Sequence, residues 1–251
     1  MVNILIMKSL FKINVFTYIF LIMSMLAGYF REIIIVYLIL IIHELGHFFI
    51  MKYYNIKVNY IYIYPYGGMI DSEILINTNS KKVFLISLGG VLIQLFLFFL
   101  IFILFKLNII NEYYYLIFKK YNLFIIIFNL LPMYPLDGFK IFNSTFEMFF
   151  SFKKSIYISI FLNIIILLCF LLYLYIFKVS NYIIIIFLLV SLVNYIKSIR
   201  YIFNKFYIER VIYDIKYNGL VSVKNKKDMY KNKYNYINGI SEDIYLKYYI
   251  N

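Results

Sequence analysis

Histidine occurs twice in this chain, at positions 43 and 47, with a glutamate between them in the run His43-Glu44-Leu45-Gly46-His47. On a helix, residues four apart share a face, so two imidazole nitrogens reach one metal ion while Glu44 stands beside the water to be activated. That combination is suited to metal-assisted hydrolysis with Glu44 as general base. The run lies inside an apolar stretch from Ile33 to Met51. A charged group at hydrocarbon depth costs roughly 2.5–3.5 kcal/mol on insertion scales, so a Glu and two His there point to function rather than to chance.

A catalytic zinc takes three protein ligands and keeps one position open. No histidine remains to complete the set, so a carboxylate must. Asp71 and Glu73 read as surface charges beyond a hairpin, Glu112 as part of an outer connection, and Glu147 as part of a polar stretch with Lys153. Asp137 differs, because it follows Pro132-Met133-Tyr134-Pro135-Leu136, where two prolines break a membrane helix on the same side as the histidine motif. It is the preferred third ligand; its plainer use is as the cap of the next helix.

These residues must be positioned by a membrane scaffold. With 64% hydrophobic residues and a mean hydropathy of +0.84, the 251-residue chain falls outside the soluble range. The expected fold is an all-α polytopic membrane protein of about six transmembrane helices, with a short membrane-associated β-hairpin between the second and third. The spans run over residues 13–30, 33–51, 83–105, 121–131, 156–177 and 182–196. Between the second and third, Asn59 to Ile70 alternates Tyr and Ile and then breaks at Pro65 and Gly67-Gly68, which reads as a strand and turn too short to cross as a helix. Irregular backbone at membrane depth must line protein or water, so this hairpin is expected to dip in beside the metal. Its residues Ile61, Ile63, Pro65, Gly67 and Gly68 are candidate substrate contacts by strand addition, with Pro135 of the broken loop.

A net charge of +13 does not imply nucleic acid, since the basic residues are spread around membrane segments. With six spans and both termini cytoplasmic, only Arg31, Lys106, Lys119, Lys120 and Lys178 of the 25 Lys and Arg lie outside, which fixes the orientation by the positive-inside rule. The single cysteine, Cys169, excludes an intrachain disulfide and reads as a buried hydrophobe. The 29 tyrosines follow a bias toward Ile, Phe, Tyr, Asn and Lys and carry no aromatic cage. Residues 1–197 are read as the membrane domain and 198–251 as a short basic cytoplasmic tail with too little apolar surface for a sizeable core.

Together, the His-Glu-Leu-Gly-His run, the Tyr64-Pro65-Tyr66-Gly67-Gly68 hairpin and the stretch Asn129-Leu130-Leu131-Pro132-Met133-Tyr134-Pro135-Leu136-Asp137-Gly138 resemble the site-2 protease family of intramembrane zinc metalloproteases, in particular its sporulation branch. The resemblance runs from about Phe20 to Arg210. It implies Zn2+ held by His43, His47 and Asp137, Glu44 as general base, and Asn129 orienting substrate near the metal. It also implies a membrane-associated protein substrate such as a sigma-factor precursor, inhibitory membrane partners, and a forespore membrane location. Val91 after Gly90 and Phe139 after Gly138 depart from the family pattern without touching a ligand position. The tail looks too short for the nucleotide-sensing cystathionine-β-synthase-type domain of that branch. The rival readings are a membrane metal transporter or sensor, and an inactive relative kept as a binding partner.

Overall fold

The computed structural model describes residues 10–65, 67–176, 183–213 and 215–250. The basic start before residue 10, Tyr66 of the hairpin turn and the outer turn around Lys178 lie outside the described residues. The chain divides into two compact units, one formed by Met1–Ile74 with Leu85–Asn129, the other by Leu75–Phe84 with Leu130–Asn251.

The first unit opens with a strand that sequence did not predict, β1 (Phe11–Ile13), which pairs in parallel with β2 (Val58–Tyr64) and sets Phe11 opposite Ile61. On its other side β2 pairs antiparallel with β3 (Gly67–Ser72), so the expected hairpin becomes the last two strands of a sheet ordered β1-β2-β3. The period-two pattern acts as expected. Ile61 and Ile63 are buried on one face, while on the other Tyr60 meets Tyr62 edge-on and Tyr62 stacks on Tyr64, and the Lys12 ammonium sits 3.2 Å from the Tyr60 ring centre.

Asn14 caps α1 (Val15–Leu26) by accepting from the Phe16 N–H at 2.9 Å, and Gly28, at φ +87, turns the chain into α2 (Phe30–Tyr53), which carries both histidines. The predicted first span is therefore cut to twelve helical residues, about 18 Å against a hydrocarbon core of about 30 Å. Helix α3 (Ser80–Lys106) meets α2 at a pair of glycines: a Cβ at Gly46 would lie 2.7 Å from the carbonyl carbon of Gly89. Small residues permit such backbone approach between membrane helices, where dispersion and backbone contact replace the hydrophobic effect. The predicted polar connection from Lys106 to Lys120 is largely helical. Asn111 accepts from the Tyr113 N–H at 2.8 Å and starts α4 (Glu112–Leu130), well before the expected span. Ile39, Phe118 and Ile125 form the core here, with Ile35, Leu97 and Phe98 packed against them.

The second unit holds α5 (Asp137–Phe149), α6 (Phe152–Ile176) and α7 (Ile183–Ile212). Helix α7 runs well past the expected end at Ile196; thirty residues give about 45 Å, so its basic second half extends beyond a hydrocarbon core. The residues after it form a second three-stranded sheet from β4 (Leu220–Val223), β5 (Tyr234–Ile237) and β6 (Ile240–Ser241), followed by α8 (Glu242–Ile250). Val223, Met229, Ile237 and Leu246 are buried there.

Among the described residues, α2, α3, α6 and α7 are long and apolar enough to cross a membrane, and α1 is a shorter apolar helix. Of the six spans expected from sequence, four correspond to helices that meet both criteria among the described residues.

Gly46→Leu, which forces a side chain into the Gly89 backbone, is expected to destabilise the protein by about 1–3 kcal/mol. Phe49→Leu, at an exposed position of the same helix, should leave the thermal unfolding midpoint in detergent near wild type.

Candidate metal centre

One helical turn of α2 brings His43 and His47 to the same face, both buried, with their Nε2 atoms 3.1 Å apart. Each ring is held from behind by α3. The His47 Nδ1 lies 2.6 Å from the Ile86 carbonyl and the His43 Nδ1 lies 2.9 Å from Gln94 Oε1. A carbonyl oxygen only accepts, so these contacts suit rings that carry a proton on Nδ1, the tautomer that presents an Nε2 lone pair to a metal. Two lone pairs that close repel unless a cation lies between them. Zn–N bonds of about 2.0–2.1 Å at a tetrahedral angle would set two nitrogens about 3.4 Å apart, close to the spacing found.

Asp137 opens α5, where the positive end of the helix dipole favours a carboxylate. Its helix is seated by Gly138, at which any Cβ would collide with the carbonyls of Leu130 and Leu131. Lys140, mostly exposed, donates to Asp137 Oδ1 at 3.2 Å. Among the described residues, His43, His47 and Asp137 are the His and carboxylate residues that could together hold a metal ion. Two imidazoles and one carboxylate form a donor set that zinc accepts.

Two glycines clear the space around the histidines and Glu44. A Cβ on Gly90 would lie 2.6 Å from the Nε2 atoms of both histidines, and one on Gly68 would lie 2.6 Å from Glu44 Oε1. The hairpin thus reaches the general-base candidate through the residue with no side chain, as expected of a segment dipping in beside the motif. Phe11, Leu40, Ile41, Ile61, Ile63 and Gly68 surround Glu44 with mostly apolar surface.

The structure corrects the use of Ile61 and Ile63 as an open edge. Strand β2 is central, with β1 on one side and β3 on the other, so its main chain has no edge to offer. The physical reason is a non-local pairing: three residues ahead of α1 fill the flank that a hairpin alone would leave open. Of the hairpin positions, Gly67 and Gly68 lie on β3, an outer strand, and Pro65 in the turn. Asn129 is half-buried in the last turn of α4, and Pro135 is half-buried in the loop before α5, after a cis peptide bond.

Sequence reasoning missed the residues that hold the imidazoles. Gln94 was detectable, as the one amide side chain within the apolar span from Val83 to Phe105. The Ile86 carbonyl was not, because every residue carries one. Gln94→Leu is expected to lower zinc affinity about 10–100-fold, the usual effect of removing a group that orients a ligating histidine. Gly90→Ala should lower zinc content by intruding between the rings. Both are checked by equilibrium zinc competition in detergent, and wild-type affinity in both would refute this geometry.

Residues 31–110 match peptidase family M50. Over 204 residues the chain is 28% identical to stage IV sporulation protein FB of Bacillus subtilis, covering 79% of this chain and 71% of that protein. It is 26% identical over 125 residues to a zinc metalloprotease of Methanocaldococcus jannaschii, covering 49% of this chain and 36% of that one. Its fold is similar to the solved site-2 protease from Methanocaldococcus jannaschii, with a TM-score of 0.56 and 21% identity over 73% of this chain and 89% of that chain. These likenesses agree with one another: the chain carries a match to peptidase family M50 over residues 31–110, is similar in sequence to membrane metalloproteases and shares its fold with a solved site-2 protease.

Proposed function

We propose that the protein is an intramembrane protease that cleaves a membrane-associated protein precursor close to the cytoplasmic face, with His43, His47 and Asp137 as zinc ligands and Glu44 as general base. The observation that carries this reading is the pair of converging Nε2 atoms at 3.1 Å beside a carboxylate that is itself outside the ligand group. A site built only to bind or carry metal has no use for Glu44 at that position. The likeness to stage IV sporulation protein FB supports a sporulation role, with a sigma-factor precursor as the substrate and a forespore membrane as the location.

Zinc, when bound, supplies Lewis acidity toward the scissile carbonyl and makes a water molecule acidic near neutral pH. The remaining work belongs to the chain's own residues. Glu44 takes a proton from the attacking water and delivers it to the leaving amine. Gln94 and the Ile86 carbonyl keep the imidazoles aimed. The apolar surround of Glu44 limits stray water. A helical substrate hides its carbonyls in its own hydrogen bonds and must first be unwound. The outer strand β3 is the edge suited to hold the extended segment by main-chain hydrogen bonds, with Gly68 leaving room above Glu44. Asn129 is assigned to orienting the substrate, with Pro135 shaping the nearby loop.

Co-expression with membrane-tethered precursors tests the assignment. Glu44→Gln should keep zinc and lose cleavage by at least about 10²–10⁴-fold. Asp137→Ala should lose zinc and cleavage together. Retained proteolysis in the first variant, or retained zinc in the second, removes that residue from its role, and metal flux unaffected by Glu44→Gln would favour a transporter.

The orientation is tested separately. Reporter fusions truncated after Lys57 and Lys154, and one after Asn251, are expected to report cytoplasm, and one after Asn111 the outside. An outside signal from the full-length fusion would overturn the cytoplasmic tail.

A further inference from the structure

Helix α5 carries a carboxylate at each end, Asp137 in its first turn and Glu147 in its last, about 15 Å apart along the axis. The two ends treat a carboxylate oppositely. The N-terminal end of the dipole favours Asp137, whereas the C-terminal end disfavours Glu147, which is also buried at 3% exposure. The partners of Glu147 offset both costs. Lys231 Nζ donates to its Oε2 at 2.6 Å and Ser80 Oγ at 2.9 Å, while Asn143 Nδ2 donates to its Oε1 at 2.9 Å.

Lys231 is as buried as its partner, and it comes from the segment after α7 that reads from sequence as a basic tail. That segment is held to the helix ends residue by residue. The Met229 carbonyl accepts from the Phe152 N–H at 2.9 Å at the start of α6, and Asn232 Oδ1 accepts from the Ser80 N–H at 2.9 Å at the start of α3. Behind it stands a second buried pair. Arg210 meets Glu242 at 2.5 Å and donates to the Lys231 and Tyr230 carbonyls at 2.7 and 2.9 Å. A continuous run of contacts therefore leads from Glu242 through Arg210, the Lys231 backbone and the Lys231 ammonium to Glu147 and the helix that begins at Asp137.

We propose that Lys231 and Glu147 are positioning residues for the metal site, the C-terminal segment acting as a brace that locks the far end of α5 and thereby holds the Asp137 carboxylate in place. The inference rests on the proposed role of Asp137 as a ligand. A partner or truncation that pulls Met229–Asn232 away from α5 would then weaken metal binding without touching a ligand.

The test uses the full-length protein in detergent, with zinc release to a chelator followed well below each variant's unfolding midpoint. Lys231→Met and Glu147→Gln are each expected to speed release about tenfold, a typical loss for a supporting shell, and to lower kcat with KM near wild type. The exchanged pair Glu147→Lys with Lys231→Glu should restore release to within about threefold of wild type, since Ser80 and Asn143 serve either charge. Lys57→Met, which breaks the exposed Lys57–Glu73 pair, should change nothing. Should Lys231→Met fail to fold, Lys231→Arg, which keeps the charge with a different reach, is expected to speed release by a smaller factor. Wild-type release and kcat in the single variants, with only a lowered unfolding midpoint, would make the pair structural and overturn the proposal. Asp137→Ala is run in parallel: if it releases zinc like wild type, the ligand assignment fails, whereas a zinc-deficient Asp137→Ala beside an insensitive Lys231→Met sinks the brace alone.

Discussion

Two histidine lone pairs 3.1 Å apart in an apolar helix impose the constraint that the rest of this structure answers. A cation between the two nitrogens would relieve that repulsion, and a proton on each Nδ1 leaves each Nε2 free to bind it. The Ile86 carbonyl and Gln94 meet the second need by accepting a hydrogen bond from each Nδ1. Both acceptors sit on α3, so α3 has to approach α2 within backbone contact. Gly46 and Gly89 make that possible, and Gly90 leaves room beside the metal-binding edges of the rings. Three glycines, a carbonyl and an amide are thus consequences of one pair of imidazoles.

The same economy governs Glu44, the proposed general base. Glu44 follows His43 by one residue and so points to a different side of α2, where Gly68 of β3 passes over it. Strand β1 completes the sheet and commits the β2 main chain to structure, which leaves an outer strand as the open edge. A sheet of three short strands can survive beside membrane helices because its inner face, at Ile61 and Ile63, is buried. Recognition by main-chain pairing suits a protease whose substrate must be unwound, whatever its side chains.

The residues after α7 show how polar groups can be buried at low risk. Glu147, Lys231, Arg210 and Glu242 are nearly inaccessible, and each is paired and further hydrogen-bonded. Removing one member would strand its partner, which is why such networks specify a geometry even where they add little net stability. Burial also pushes the Tyr217 hydroxyl pKa up, against the opposing pull of the Arg210 charge, so this phenol stays protonated at any physiological pH. Some charges of the segment read from sequence as a short basic tail are buried in ion pairs.

What the sequence by itself determined is what local chemistry can express. His43, Glu44 and His47 are legible because a four-residue spacing has one meaning on a helix, and the β2–β3 hairpin because alternation and a Pro-Gly-Gly break are read within a dozen residues. Asp137 was legible because two prolines end a helix wherever they fall. The membrane class followed from composition alone. Tertiary structure decided everything that depends on who stands opposite. Parallel pairing of β1 with β2 joins residues fifty apart, the Lys231–Glu147 pair joins residues 84 apart, and the Ile86 carbonyl carries no signature in its side chain. Helix ends, too, were set by caps and packing: Asn14 and Gly28 shortened α1, and Asn111 began α4 early, because hydropathy measures where a chain prefers to lie and not where its hydrogen bonds begin.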